Sequence, residues 1–424
     1  MTTATKNSSP DSRMLFLLVL AAGFVFVGFL NATPEQIFSG IYRINFGPCQ
    51  LFSDFVVIGG FGATLVNVAS VILLEIAIIK WTNTTITGTH LSAIFTTGGF
   101  ALFGTNLFNM IPIIVGVFLY ARLQKTALNT LLLQAFFGSA IGPLISFIAF
   151  SLGLDPAVGV ILGFLVGVVV GLIISPLSSA FLRFHQGYNL YNIGFTAGMI
   201  GLVAVACMKL FNISVEPLSI LDTEHGFHLT LFALAIFLSL LIFGLVLNRW
   251  NLRDYPRLLK NSGRLLADFV LLYGPGLTFF NMGLMGLISL GLLKIINAPI
   301  NGPIIGAIMT IAGFAAMGKH PRNTLPVMAG ASLAALLHGD IRSVRSLITI
   351  LFSTTIAPLS GQFGLPIGIL AGYLHTAVVS HVLPLHGGLN LYNNGFSGGF
   401  VAALMVPLIE AFNQIREGKN HENS

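Results

Sequence analysis

Polar side chains able to handle a solute recur in pairs along this chain of 424 residues. The most specific pair reads H-x-G-x-N-L-Y-N-x-G-F: His185, Asn189, Tyr191 and Asn192 in one copy, His386, Asn390, Tyr392 and Asn393 in the other. Carboxamides offer donors and acceptors without charge, while Asn is a poor helix former and an expensive residue against lipid. Two of them within four positions, beside glycine, imply a helix start, a break or the wall of a polar cavity. That chemistry suits a small polar solute that need not be charged, with the Tyr rings as stacking or constriction surfaces. The plainer reading makes the Asn residues helix caps and places the aromatics at the membrane interface.

Asp54 and Asp268 form a second pair, each opening an apolar run that holds a Gly-x-Gly break and then Asn67 or Asn281. An Asp costs roughly 2.5 to 3.5 kcal/mol at the centre of a membrane helix, so keeping one needs a reason. Capping a helix at the membrane surface is one; binding a coupling cation or proton, or gating a path, is the other. Glu75 has Ser289 in the equivalent place and lies near Lys80, so it is expected to snorkel or pair at a helix end. His375, His381 and His386 are spaced too poorly for one helical face and have no acid or Cys beside them, so neither a metal nor a cofactor is expected. No soluble-enzyme motif is present. A membrane-embedded enzyme for a lipid-linked substrate is the rival to transport, with His185 or His386 as acid or base and the basic stretch from Arg249 to Arg264 holding a head-group phosphate.

The elements that position these residues follow from composition. Hydrophobic residues make up 55% of the chain and charged residues 8%, against about a quarter charged in a soluble domain, and the mean hydropathy is +0.90. Long stretches without any ionisable group are solvated cheaply only by lipid, so the chain reads as an all-α integral membrane protein. The net charge of +6 comes from Lys and Arg in short connections, a topology signal rather than a nucleic-acid surface. Two cysteines, Cys49 and Cys207, give no disulfide framework.

Apolar runs number about 14 in two halves, a membrane repeat over 15–212 and a second over 229–412, joined by a loop at 213–228 and flanked by polar tails at 1–14 and 413–424. Several runs are short or carry Gly, Pro and Asn, so some are expected to be re-entrant or broken. A shift of 214 residues aligns Asp54–Asn67 with Asp268–Asn281 and continues through Gly88/Gly302, Gly104/Gly318, Asn109/Asn323 and Gly116/Gly330. A shift of 201 then aligns His185–Gly198 with His386–Gly399, nine identities in fourteen positions. An odd number of spans per copy would invert one copy relative to the other. With the N-terminus in the cytoplasm, fifteen of the 20 Lys and Arg fall inside and Arg43, Lys209, Lys294, Arg342 and Arg345 outside. Equivalent loops differ as an inverted repeat demands, five basic residues against one after the first span of each half and Lys319 and Arg322 against Thr105 and Phe108, while the loop holding Arg342 and Arg345 dissents; a parallel repeat with a re-entrant element is the alternative. Glycines at every fourth position, Gly159 to Gly171 and Gly364 to Gly372, should make smooth faces for close helix packing and permit a homo-oligomer.

Through its two copies of NLYNxGF and its two Asp-to-Asn elements, the chain resembles an uncharacterised family of bacterial multi-spanning membrane proteins. GYNLYNIGFTAG and GLNLYNNGFSGG also echo, loosely, an element of the urea transporters. Each half here has about two more hydrophobic segments, and that element's residue order is not reproduced. The resemblance implies a pore for a small polar solute at the repeat interface. The expectation is therefore a multi-pass transporter or channel of the bacterial inner membrane with both termini cytoplasmic, its path lined by the Asn, Tyr and His residues of the paired elements.

Overall fold

The computed structural model describes residues 11–422, with side chains through residue 415. The expected tail at 1–14 thus falls mostly outside the described residues. The first half comprises α1 (Ser12–Asn31), α2 (Pro34–Asn45), α3 (Phe55–Gly59), α4 (Phe61–Trp81), α5 (Gly88–Phe100), α6 (Leu107–Leu123), α7 (Leu132–Phe137), α8 (Gly142–Phe150), α9 (Pro156–Phe184) and α10 (Asn192–Leu210). The second comprises α11 (Gly226–Leu247), α12 (Tyr255–Leu258), α13 (Phe269–Ile295), α14 (Gly302–Phe314), α15 (Pro321–His338), α16 (Val344–Ser353), α17 (Ala357–Phe363), α18 (Leu365–His386) and α19 (Asn393–Glu422). α19 runs on through most of the stretch expected to be a polar tail. A two-residue parallel pair, β1 (Phe52–Ser53) and β2 (Ser219–Ile220), joins the approach to α3 to the loop between the halves.

Ten helical segments among the described residues are long and apolar enough to cross a membrane. This is the make-up of a multi-pass membrane protein, and it is fewer than the fourteen runs. Four runs fall short, those of α5, α6, α14 and α15; for two of them the reason is plainly length, since α5 and α14 have 13 residues each, about 20 Å at 1.5 Å per residue, against a hydrocarbon core of about 30 Å.

These two short helices lie at the centre. Every residue of α14 is buried, as is nearly every residue of α5. They run antiparallel and touch backbone to backbone: a methyl group on Gly99 or Gly306 would strike the other's carbonyl oxygen, and Gly88 approaches Ala316 as Gly302 approaches Leu102. α1 and α11 are also antiparallel, Phe16 meeting Phe243 at 4.7 Å and Phe24 meeting Phe232 at 4.8 Å between ring centroids. α10 and α19, in contrast, start side by side with the same sense, Gly194 on Tyr392 and Gly395 on Tyr191, then Gly198 on Phe396 and Gly399 on Phe195.

The paired Gly-x-Gly breaks are real kinks. Gly60 has φ 91° between α3 and α4, and Gly274 has φ 81° inside α13, a region that side-chain-bearing residues avoid. The hydroxyls of Thr64 and Thr278 donate to the carbonyls of Gly60 and Gly274 at 2.9 and 2.8 Å, covering acceptors near each break. The glycine faces do pack closely: Gly163 of α9 against Ile145 and Ala149 of α8, Gly171 against Ile113 of α6, and Gly372 of α18 against Val327 of α15.

Candidate functional site

A 13-residue helix buried among other helices leaves unpaired N–H groups at its start and carbonyls at its end, each worth several kcal/mol if orphaned in lipid. The sequence-predicted residues meet this need in pairs. Asp268 accepts from the backbone of Gly88 and Thr89 at the start of α5 (3.0 and 3.2 Å) while capping its own α13 through Leu271 at 3.1 Å. Asp54 accepts from Gly302 at the start of α14 (2.8 Å) while capping its own α3 through Val56 at 2.9 Å. Each carboxylate thus holds the short helix of the opposite half, an arrangement a helix dipole favours by up to about 2 kcal/mol. The expected cap is present, but it is buried between the halves rather than at the surface, with Asp54 fully inaccessible.

The C-terminal ends are held by Asn residues of the same half. Asn67 donates to the carbonyls of Ala101 and Thr105 (2.9 and 3.0 Å), and Asn281 to those of Ala315 and Lys319 (both 2.8 Å). Asn109 and Asn323 repeat the move on Gly104 and Gly318 at 2.9 and 2.8 Å. The amides of Asn67 and Asn281 are thereby committed to backbone.

The NLYN elements divide by position. Asn189 donates to the Gly395 carbonyl at 2.9 Å and Asn390 to that of Gly194 at 3.4 Å, each reaching into the first turn of the other half's helix. Their Oδ1 atoms accept from the backbone of Tyr191 and Tyr392. These first Asn residues are clamps, and neither lines either of the two cavities that flank the Tyr191–Tyr392 contact. The residues that follow do line cavities. One, of about 140 Å³, is lined by Gln134, Ser178, Asn192, Tyr191, Tyr392 and Phe314 among others. The other, of about 480 Å³, is lined by Ser346, Thr349, Tyr373, Arg345, Asn393 and Asn394 among others.

These two cavities are built from equivalent positions of the two halves. Leu265, Leu266, Gln134, Ser179, Leu182, Asn192 and Ile193 line the smaller; Leu51, Phe52, Ile348, Ser380, Leu383, Asn393 and Asn394, their counterparts at the shifts of 214 and 201, line the larger. Tyr392 faces the smaller cavity and the next two residues face the larger, so the second NLYN element forms part of the wall between them. Tyr191 and Tyr392 pack ring on ring there, centroids 4.6 Å apart and both about 1% exposed.

His185 and His386 are fully buried and line neither cavity. Nε2 of His185 is 3.0 Å from Oδ1 of Asn192, and both ring nitrogens of His386 lack partners among the described residues.

Two residues carry more than their sequence positions announced. Glu75, expected to snorkel, is wholly buried on α4 with neither oxygen paired among the described residues. Lys319, which counts toward topology in the sequence, is wholly buried just past α14. Its Nζ donates to the Tyr191 hydroxyl at 2.6 Å and lies 4.4 Å from the Tyr191 ring centroid and 5.0 Å from that of Phe314. None of the ion pairs among the described residues includes it. The signal that marks both is asymmetry: Ser289 stands opposite Glu75, and Thr105 opposite Lys319.

The family described as "Protein of unknown function (DUF1576)" matches residues 33–210 and 247–411. No curated protein and no solved structure matches the chain.

Proposed function

The chain belongs to this family of unknown function, and because membership carries no activity we propose one from the geometry: a membrane transporter or channel for a small polar solute, its path at the interface of two inverted halves. The observation that carries the reading is the pair of cavities lined by equivalent residues and divided at Tyr191 and Tyr392. A repeat whose two copies each form a vestibule, with a closed contact between, is the arrangement alternating access needs. Inversion is supported by the antiparallel α1/α11 and α5/α14 pairs. In this reading the two-fold axis is perpendicular to α1, α11, α5 and α14 and lies in the membrane plane, and the starts of α10 and α19, which share one sense, run along it. The vestibules then open to opposite faces, the smaller beside Arg264 on the basic, cytoplasmic side and the larger beside Arg345 on the other.

In this reading Asp54 and Asp268 hold the central helices and set the gate, because their oxygens are already occupied by backbone N–H groups. Asn192, Asn393, Tyr191 and Tyr392 face the solute. The unequal cavity volumes correspond to a state with one vestibule wide and the other narrowed. The chain sits in the bacterial inner membrane with both termini cytoplasmic.

Flux of labelled solutes through proteoliposomes tests the proposal: a carrier gives counterflow, a channel gives flux without it, and a protein of neither kind leaves the vesicles tight. Topology is tested in a C49S/C207S background by labelling Ser343→Cys and Gln186→Cys with an impermeant maleimide. Opposite sidedness is expected; labelling of both from one face overturns the inverted arrangement.

A further inference from the structure

A buried lysine without a carboxylate partner is costly, several kcal/mol per unpaired ion after relaxation, and Lys319 has such a place next to the cavity wall. The phenol oxygen of Tyr191 accepts from its Nζ, which leaves the Tyr191 proton free to donate. Tyr392, its ring tilted against that of Tyr191, lines the same cavity, and its buried hydroxyl has no partner among the described residues. Two phenols therefore line the smaller cavity, one of them bonded to a buried amino group, with no described carboxylate in salt-bridge reach of Lys319. The rest of that wall is mainly apolar: Leu133, Phe137, Leu182, Phe314 and Met317.

Resting on the transport reading above, we infer that the solute is a small monoanion, a monocarboxylate with a short apolar body, bound at the Tyr191–Tyr392 pair with Lys319 as its counter-charge. One positive charge neutralises one carboxylate, whereas a dianion would leave a net negative charge buried. The carboxylate accepts from the two hydroxyls, and the apolar body lies against the Leu, Phe and Met side chains. Thr105, at the position of Lys319 in the first half, supplies no such charge, so the site exists once, on one side of the two-fold.

The test uses isosteric pairs: acetate, propionate and butyrate beside their amides, with phosphate as the more highly charged control. Binding is read from thermal unfolding of the detergent-purified full chain and from competition for flux in proteoliposomes. Carboxylates should bind at least about tenfold better than the amides, and Lys319→Met should weaken them roughly tenfold to a hundredfold, the loss expected for a hydrogen bond to a charged group. Lys319→Arg should keep most of the preference. Amides that bind as well as carboxylates in the unaltered protein, or a Lys319→Met protein with undiminished carboxylate affinity, overturn the inference. Should Lys319→Met fail to fold, the carboxylate-to-amide ratio of the unaltered protein and of Tyr392→Phe decides it. Flux of uncharged solutes with none of carboxylates sinks the anion site and leaves the transporter standing; vesicles tight to every solute sink the transporter and the anion site with it.

Discussion

The two halves hold their central helices with matched groups and then part company one residue away. Asp54 and Asp268 bind the starts of α14 and α5, and Asn67 and Asn281 bind the ends of α5 and α14, in bonds of nearly equal length. Yet the carbonyl that Asn67 holds belongs to Thr105, and the one that Asn281 holds belongs to Lys319. The backbone at this point obeys the two-fold while the side chain breaks it. A structural demand falls on both copies alike, because both short helices have orphan ends; a demand made by a single solute falls on only one. Paired polar residues committed to backbone, Asp54, Asp268, Asn67 and Asn281, therefore report scaffold, and the unpaired ones, Lys319 and Glu75 foremost, report what one half does and the other does not.

The strongest way to break this comparison is at the Asn clamps. Asn281→Ala strands the carbonyls of Ala315 and Lys319 and also orphans the Tyr255 hydroxyl, which donates to Asn281 Oδ1 at 2.9 Å. Asn67→Ala strands two carbonyls only, since Asn67 Oδ1 has no partner among the described residues. The expected loss is roughly 2 to 4 kcal/mol for Asn281→Ala and about 1 kcal/mol less for Asn67→Ala, read as unfolding midpoints in detergent. Equal midpoints for the two variants would show that Tyr255 adds nothing and that the clamps are symmetric in energy as well as in form.

Lys319→Met should act in the opposite direction. An apolar side chain of similar length removes a buried charge that no carboxylate offsets, so the protein should gain stability, on the order of 2 kcal/mol, while flux falls. A variant that is both less stable and inactive would make Lys319 a part of the scaffold and would dissolve the distinction between paired and unpaired residues.

Much of this arrangement was legible in the sequence, and the limit is instructive. The duplication, the kinks at Gly60 and Gly274 and the importance of the Asp and Asn pairs all follow from residue types at a fixed shift, because a backbone that must turn or be capped asks for particular residues locally. What those pairs bond to was not legible. Asp54 reaches Gly302 across 248 positions, and no local pattern says which helix start a carboxylate will meet. For the same reason Asn189 and Asn192, three residues apart in one motif, could not be told apart as clamp and cavity wall. Lys319 reads as a loop charge because its neighbours Gly318 and His320 look like a connection; the Tyr191 ring that packs over it comes from the other half of the chain. The apolar runs do not tell which of them cross, because hydropathy measures apolarity, whereas α5 and α14 owe theirs to burial in protein at a length too short to span.

The finest test of the comparison lies at Asn192 and Asn393, equivalent residues in different states. Asn192 is engaged, its Oδ1 3.0 Å from Nε2 of His185 and its amide donating to the Ser178 carbonyl at 3.0 Å. Asn393 has no partner at Oδ1 among the described residues and faces the wider cavity. Asn192→Ala should therefore cost about 1 kcal/mol and Asn393→Ala close to nothing, although both should slow flux, since alternating access brings each vestibule in turn to the state the other now holds. If Asn393→Ala leaves flux untouched while Asn192→Ala abolishes it, the two cavities do not exchange roles, and a fixed one-sided path replaces the alternating one.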